Sequence, residues 1–142
     1  DGAAAVIVCS ENYAKTNNLK IMAYIRGMAI SGCSPEIMGI GPVLSSQKAL
    51  KRAGIDLKDI DIIEMNEAFA AQSLACVKEL GINMSKLNIH GGAISMGHPL
   101  GASGARITGK AASLLQETGK KYALSTMCVG GGQGCATVLE RA

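Results

Sequence analysis

The N-terminal part of the chain alternates short apolar runs with polar, helix-forming stretches. The continuous apolar run AAAVIVC at 3–9 predicts a buried strand, and SENYAKTN at 10–17 predicts a short helix capped by Ser10. A second strand-forming run, KIMAYIRGMAIS at 20–31, ends at the Gly-Cys-Ser-Pro breaker at 32–35. The pattern therefore predicts two strands separated by a short helix.

Two longer helices are predicted in the middle of the chain. The first begins near Pro42, which suits a first helical turn, and ends at Gly54, which suits a helix C-terminus. The strand DIIEM at 61–65 follows, and Asn66 is then expected to cap a second helix over 67–81. The apolar stripe of that helix is predicted at Phe69, Cys76, Val77 and Leu80.

The last part of the chain completes an alternating pattern. KLNIHGGAI at 86–94 predicts a strand, and a third helix is expected to follow the segment 95–104 and to end near Thr118. Strand-like runs at 122–129 and 135–140 are joined by glycines. The order β-α-β-α-β-α-β-β predicts an α/β fold with a mixed, mostly parallel sheet and helices on both faces.

The third helix carries a stripe of very small residues, which lets another backbone approach closely. A helix that is apolar on more than one side is normally buried between two layers. Since a domain of this size offers one sheet, we expect another domain or chain to supply the second layer. The small residues are Ala102, Ala105, Gly109 and Ala112, and the additional apolar residues are Ala111, Leu114 and Leu115.

Composition narrows the class of protein. A chain of 142 residues with 48% hydrophobic residues fits one domain over 1–142, and its abrupt apolar start suggests a piece of something longer. The net charge of +3 comes from scattered basic residues, which predicts no nucleic-acid partner. No apolar run reaches the roughly 18 to 20 residues of a membrane helix, so no membrane is expected. Five cysteines without a CxxC pair, and no signal peptide, favour free thiols and a cytoplasmic location.

Three polar clusters each follow a predicted strand. Because the carboxyl ends of parallel strands meet at one edge of a sheet, side chains from all three are expected to converge. Simpler structural roles stay open for each of them. Asn66 suits a helix cap, and Glu67 suits the positive end of a helix dipole. His98 suits a turn, Cys128 suits an inert core position, and the glycines suit a hairpin. The clusters are NEAF at 66–69, GGAISMGHPLGASG at 91–104 and CVGGGQG at 128–134.

Several familiar motifs are excluded by spacing. GGGQG lacks the Lys-Ser/Thr pair of a phosphate loop and the GxGxxG register of a dinucleotide fold. The separations among His90, His98, Cys128 and Cys135 match no common zinc site, so no metal is expected. A thiol beside an imidazole or a dipole acts as a proton acceptor at neutral pH. A bare glycine N–H stabilises an oxyanion by about 3 kcal/mol. The set therefore suits carbonyl chemistry through an enolate or a tetrahedral intermediate.

The segments NEAFAAQ, GGAISMGHPLGASGAR and CVGGGQG resemble the three motifs of the C-terminal half of thiolases, the acetyl-CoA acetyltransferase and 3-ketoacyl-CoA thiolase family. DGAAAVIV at the start and MGIGPVLSSQKALKRAGIDLKDID in the middle extend the resemblance over nearly the whole chain. It implies an acyltransferase that interconverts two acyl-CoA molecules with a 3-ketoacyl-CoA and CoA. The expected reaction interconverts two acetyl-CoA molecules with acetoacetyl-CoA and CoA. It further implies a homodimer or homotetramer and no cofactor beyond these CoA thioesters.

The same resemblance implies roles for individual residues. His98 would activate the nucleophilic cysteine and donate a hydrogen bond to the thioester oxygen, while Cys128 would remove or return the α-proton. Asn66 would hold a water of the first oxyanion hole, and the N–H of Gly130 would contribute to the second. Two further residues would lie against the pantetheine arm of CoA, namely Ala68 and Phe69.

The resemblance also indicates what is missing. The nucleophilic cysteine of thiolases belongs to an N-terminal domain that this sequence lacks, and no cysteine of the chain matches its motif. The chain alone is therefore expected to be inactive and to need that domain as a partner. Two alternatives remain open: a non-catalytic CoA-binding or assembly module with the same fold, and a ketoacyl synthase. The synthase is disfavoured because it would use two histidines where this chain has His98 and Cys128.

Overall fold

The computed structural model describes all 142 residues and contains five α-helices and four β-strands. No helix combines the length and the apolarity that crossing a membrane requires. Short 3-10 turns lie at Pro35–Ile40, Leu57–Asp59 and Met84–Lys86. The helices are α1 (Glu11–Thr16), α2 (Gly41–Ala53), α3 (Ala70–Leu80), α4 (Ala93–Met96) and α5 (Leu100–Thr118), and the strands are β1 (Ala23–Gly32), β2 (Ile62–Met65), β3 (Tyr122–Val129) and β4 (Gln133–Arg141).

Local signals set several helix ends where the sequence predicts them. The hydroxyl of Ser10 accepts a hydrogen bond from the N–H of Tyr13 (3.2 Å) at the start of α1. Pro42 lies in the first turn of α2. Gly54 ends α2 with φ of 67°, and Gly81 ends α3 with φ of 70°. Glycine adopts this left-handed conformation at no steric cost, so these predicted ends are confirmed.

The four strands form one mixed sheet in the order β1-β4-β3-β2. β2 pairs with β3 in parallel, whereas β4 is antiparallel to both β3 and β1. Strands β1, β2 and β3 therefore run in one direction, and only β4 runs against them. The α/β fold with a mixed sheet is confirmed. Two of the three pairings are nevertheless antiparallel, because the reversed strand β4 lies between β1 and β3.

Helices cover both faces of the sheet, as predicted. α2 and α3 pack on one face around a buried cluster of 12 residues, and α5 packs on the other around six. Ile62 and Ile63 are consecutive in β2 and belong to opposite clusters, as the pleat of a strand requires. Burial of each large aliphatic side chain stabilises the fold by roughly 1.5–3 kcal/mol. The first cluster includes Val43, Leu50, Cys76, Leu124 and Val138, and the second includes Ala111, Leu114, Leu115 and Leu139.

The strand predicted at 3–9 does not form, and that prediction is wrong. Residues 1–10 have no regular secondary structure and are exposed, Ile7 to 82%. An extended segment becomes a strand only when a neighbour pairs with its N–H and C=O groups, and none of the four strands does so. The segment instead passes over α5, where a Cβ added at Gly109 would lie 2.9 Å from Val6 Cγ1. A further layer over α5 stays a prediction.

The strand predicted at 86–94 is also wrong. Leu87 makes a single parallel bridge with Ile63, and the chain then turns away from the sheet. Asn88 and Gly91 have φ of 45° and 82°, which is incompatible with a continuous pleated strand. The segment continues into the short helix α4. Helix α5 then begins at Leu100, earlier than predicted, and ends at Thr118 as predicted.

A close backbone contact between β4 and the start of α2 gives a test of this packing. A Cβ added at Gly134 would overlap the carbonyl oxygen of Gly41. We expect Gly134→Ala to lower the free energy of unfolding by about 2 to 3 kcal/mol, because the two backbones must separate. Gly101→Ala is a matched control in open space in α5, and should change it by less than about 1 kcal/mol. Urea denaturation measures both, and equal midpoints for the two variants would contradict the expectation.

Candidate active site

Asn66 lies directly after β2, where its backbone N–H donates to the carbonyl of Thr126 in β3 (2.9 Å). The side chain is fully buried, and its Nδ2 lies 3.2 Å from Nε2 of His98. The predicted role as helix cap is wrong, because α3 begins only at Ala70 and Phe69 occupies its N-cap position. The Asn66 amide is thereby free to face the imidazole across the sheet edge.

The two ring nitrogens of His98 have different partners. The hydroxyl of Ser103 donates to the carbonyl of Pro99 (3.1 Å), so its oxygen accepts from the imidazole Nδ1–H at 2.6 Å. With its proton on Nδ1, the neutral imidazole keeps a lone pair on Nε2, which accepts from the Asn66 amide. Asn66 Oδ1 is buried and has no hydrogen-bond partner. Asn66 and His98, two of the three residues expected to converge, are therefore in contact, and the hydrogen bonds define the tautomer of His98.

Cys128 occupies the end of β3, opposite Gly134 of β4, and is buried. It lies two residues beyond Thr126, which places it about 7 Å along the strand from the carbonyl that binds Asn66. No hydrogen bond joins Cys128 to Asn66 or His98. Burial raises the pKa of its thiol, and the nearby Cys33 thiol raises that pKa further, while a backbone hydrogen bond lowers it. The thiol is therefore protonated at neutral pH, in contrast to the activated thiol that the sequence suggested.

The glycines after Cys128 form the β3–β4 turn. Gly130 is exposed, with open space around its Cα, whereas Gly131 and Gly132 have φ of 84° and 87°. A side chain at Gly132 would overlap the carbonyl of Cys33, because the Cys33 N–H donates to the Gly132 carbonyl at 2.7 Å. The bare backbone is thus required in part by packing against the end of β1, whereas Gly130 and Gly131 are exposed.

Ala68 and Phe69 follow Asn66. Ala68 lies at a bend and is half-buried, whereas Phe69 is extended and exposed. The Phe69 ring is 64% exposed, so its predicted place in the apolar stripe of α3 is wrong. The reason is that α3 begins only at Ala70. Cys76 of the same stripe is fully buried, as predicted. The exposed ring leaves an apolar surface beside the polar residues of the site.

The 88–97 loop, which leads to His98, is held by polar side chains that sequence reasoning missed. Oδ1 of the buried Asn88 accepts from the Met65 N–H, and Nδ2 donates to the Met65 carbonyl, each at 2.9 Å. Glu67 accepts from Asn88 Nδ2 (2.7 Å) and from the backbone N–H of Ile94 (2.9 Å). Glu67 therefore binds the first turn of α4 and not the dipole of α3. The sequence signal that could have predicted this loop is the Gly91–Gly92 pair, because paired glycines are typical of a turn.

A group of charged residues lies behind this loop. Lys110 of α5 donates to the Gly91 carbonyl (2.6 Å) and lies 3.6 Å from Glu64, which is 1% exposed. Burial raises the pKa of Glu64 to about 7; Lys110 and Arg106 lower it, and Glu67 raises it. The three guanidinium nitrogens of Arg106 are buried without a hydrogen-bond partner. No three His, Cys, Asp or Glu side chains are grouped so that they could hold a metal ion.

A cavity of about 830 Å³ opens beside His98. Its walls come from residues 1–4, from residues 96–102 and from Arg106. Half of the twelve lining residues are glycine or alanine, and His98 is among the others. The arrangement therefore provides a volume in which a small polar substrate can reach His98.

Comparison with known proteins identifies what this arrangement belongs to. Residues 19–141 match the family model described as "Thiolase, C-terminal domain". The chain is 56% identical to the 3-ketoacyl-CoA thiolase of Vibrio parahaemolyticus, over 99% of this chain and 37% of that protein. Similar solved structures include human mitochondrial 3-ketoacyl-CoA thiolase in complex with CoA (TM-score 0.91, 49% identity, 93% of this chain and 34% of that chain). Another is the acetyl-CoA acetyltransferase of Bacillus anthracis (TM-score 0.91, 42% identity, 94% of this chain and 34% of that chain). The chain thus spans little more than a third of the length of these relatives.

Glu64 makes the stability of the fold depend on pH. Its pKa of about 7 exceeds the ordinary 4.5, so the folded chain binds more protons than the unfolded chain between these values. This stabilising contribution is fully present below pH 4.5 and is lost as the pH rises through about 7. From pH 4.5 to about 8 we expect the unfolding free energy of the wild type to fall by up to about 3 kcal/mol relative to Glu64→Gln. Urea titrations across this range test it, and a constant difference between the two proteins would contradict it.

Proposed function

Because the chain belongs to the thiolase family and carries its C-terminal domain, we propose that it supplies one catalytic half of an acyltransferase. The reaction interconverts two acyl-CoA molecules with a 3-ketoacyl-CoA and free CoA, and acetyl-CoA with acetoacetyl-CoA is the simplest pair. The observation that carries the proposal is the contact between Asn66 and His98, which aligns an amide and an imidazole from separate motifs. The substrate class is supported by the relatives, which are a 3-ketoacyl-CoA thiolase and an acetyl-CoA acetyltransferase.

His98 acts first as a base in this proposal. Its Nε2 lone pair takes the proton of a nucleophilic thiol, and the resulting imidazolium then donates a hydrogen bond to the thioester oxygen. Ser103 supports this cycle because it keeps the other ring proton on Nδ1. Asn66 contributes through its amide, whose free Oδ1 accepts from a water that completes the oxyanion site.

Cys128 carries the second proton transfer. In thiolysis the bond between the α- and β-carbons breaks, and the thiol of Cys128 gives its proton to the enolate carbon of the leaving acetyl-CoA. Condensation is the reverse step: Cys128 first gives its thiol proton to water, and the thiolate then takes a proton from the same carbon and returns to the thiol form. The raised pKa supports the acid role, because the thiol is protonated before the bond breaks. The exposed N–H of Gly130 stabilises the enolate oxygen, and Ala68 and Phe69 contact the pantetheine arm.

The proposal requires partners. The nucleophilic thiol comes from an N-terminal thiolase domain, and the coverage of relatives supports this division. The substrates are acyl-CoA and CoA, with no other cofactor. We place the assembly in the cytoplasm as a homodimer or homotetramer. Free cysteines support a reducing compartment, and the small-residue stripe of α5 supports close packing against a second layer.

A chimera tests the role of Cys128. In it, this chain replaces the matching 37% of the Vibrio parahaemolyticus 3-ketoacyl-CoA thiolase. We expect Cys128→Ala to slow exchange of the acetyl-CoA α-protons with deuterated water by about 10²- to 10⁴-fold, because the acid/base group is lost. Transfer of a radiolabelled acetyl group onto the protein should persist, because His98 activates the nucleophile. Mass spectrometry measures the exchange, and scintillation counting measures the acylation.

Cys135→Ala is the matched control for that experiment, since it removes a half-buried thiol from the neighbouring strand. It should leave both readouts unchanged. Unaltered exchange in Cys128→Ala would remove Cys128 from the mechanism. A wild-type chimera that binds CoA yet neither cleaves acetoacetyl-CoA nor accepts the acetyl label would favour the alternative of a CoA-binding or assembly module.

A further inference from the structure

We propose that Glu67 is a positioning residue whose carboxylate fixes the 88–97 loop and thereby sets the location of the His98 imidazole. The kinetic part of this inference rests on the proposed function, whereas its structural part concerns the chain alone. Glu67 follows Asn66 in the sequence, and both side chains reach the same loop. Asn66 contacts His98 at the end of the loop, and Glu67 contacts Asn88 and Ile94 near its start and middle.

The geometry requires two acceptors at position 67. One carboxylate oxygen faces Asn88 Nδ2 at 2.7 Å, and the other faces the N–H of Ile94 at 2.9 Å. The Ile94 backbone can only donate. The Asn88 amide cannot rotate to offer its oxygen, because Met65 fixes both of its ends through its N–H and its carbonyl. A carboxamide at position 67 has one acceptor and one donor, so it can satisfy only one of these partners.

Packing leaves the carboxylate little freedom to choose other partners. It lies directly against the Cα of Gly92, where any Cβ would overlap it. From Ile94 the chain forms the single turn of α4 and reaches His98 within four residues. Lys110 holds the loop at a second point, the Gly91 carbonyl, at 2.6 Å. A loop that is fixed at both points transmits a displacement at Ile94 directly to the imidazole.

Glu67 does not touch the reacting atoms in this arrangement, and its effect passes through His98. The consequence is specific: loss of one acceptor should move the imidazole away from the Asn66 amide without removing any group that binds CoA. A misplacement of about 1 Å in a catalytic group lowers turnover by up to about 100-fold. The rate of the chemical step should therefore change while substrate binding is preserved.

Imidazole NMR of the 142-residue chain provides the first test, and it is independent of catalysis. The chain has two histidines, and His90, which pairs with Glu117 at 3.7 Å, lies within the 88–97 loop. We expect Glu67→Gln to shift the ¹⁵N resonances of His98, and because His90 belongs to the same loop, we expect its resonances to shift as well. Glu79→Gln, an exposed glutamate on α3, is the matched control and should shift neither. Unchanged His98 resonances in a folded Glu67→Gln chain would overturn the proposal.

The chimera provides the kinetic test. Glu67→Gln should lower kcat by about 10- to 100-fold with the KM for CoA within about twofold of wild type. Asn88→Asp should also lower kcat, because two carboxylates then face each other. The double variant should recover part of the loss, since the carboxamide now at position 67 can donate to the carboxylate now at position 88 and accept from Ile94. Additive losses in the double variant would overturn the proposal.

The outcomes separate the two proposals. An inactive wild-type chimera counts against the proposed function, and the NMR test of Glu67 still stands. If Glu67→Gln does not fold, Glu67→Asp replaces it, because aspartate keeps both acceptors and the charge but shortens the reach. The shorter side chain should still shift the His98 resonances and lower kcat, though by a smaller factor than the 10- to 100-fold expected for glutamine. Wild-type resonances and wild-type kcat in Glu67→Asp would count against the positioning role.

Discussion

The imidazole of His98 has one polar neighbour on each ring nitrogen, and the candidate site depends on this constraint. Ser103 fixes the proton on Nδ1, which leaves the Nε2 lone pair toward Asn66. One neighbour follows strand β2 and the other lies in α5, so the imidazole joins the end of a sheet strand to a helix that packs on the sheet. The site therefore exists only when β2, α5 and the 88–97 loop keep their relative positions.

The sheet explains how these elements come together. β2 and β3 are parallel neighbours, so Asn66, which follows β2, and Cys128, which lies near the end of β3, are at the same edge of the sheet. The N–H of Asn66 continues the ladder by binding Thr126 (2.9 Å), which fixes the height of its side chain above the strands. Helix α5 packs under β2 and β3 through Leu114 and Leu115 and thus carries its N-terminal turn, with Ser103, to that edge. The hydrophobic core thereby determines where the polar groups meet.

Buried polar groups near the site are satisfied to different degrees. Asn88 makes three hydrogen bonds, whereas all three nitrogens of Arg106 have no hydrogen-bond partner and one oxygen of Glu64 has only Lys110 at 3.6 Å. A buried polar group without a partner costs free energy, and that cost is greater for a charge. These groups surround the loop that carries His98, while the clusters around α2 and α5 are apolar. The buried polar groups that destabilise the fold therefore lie close to the candidate site, and the apolar core supplies the free energy that offsets their cost.

The sequence by itself determined the features that arise within a few residues. Ser10, Pro42, Gly54 and Gly81 set helix ends through their own backbone preferences, and the glycine turn between β3 and β4 formed as predicted. The three polar motifs were likewise identified from the sequence, because each combines particular residue types at fixed spacing. Family membership followed from those motifs and agrees with the match over residues 19–141.

Only the tertiary structure decided features that depend on distant partners. The run at 3–9 is apolar enough for a strand but has no neighbour to pair with, and 86–94 leaves the sheet because Asn88 binds Met65 with its side chain. The sequence predicted Asn66 as a helix cap, but in the structure it contacts His98. The sequence also suggested that Glu67 interacts with a helix dipole, but in the structure it binds the 88–97 loop. Hydrogen-bond partners and burial are properties of the folded whole, so local pattern determines which groups are available and packing determines what they bind.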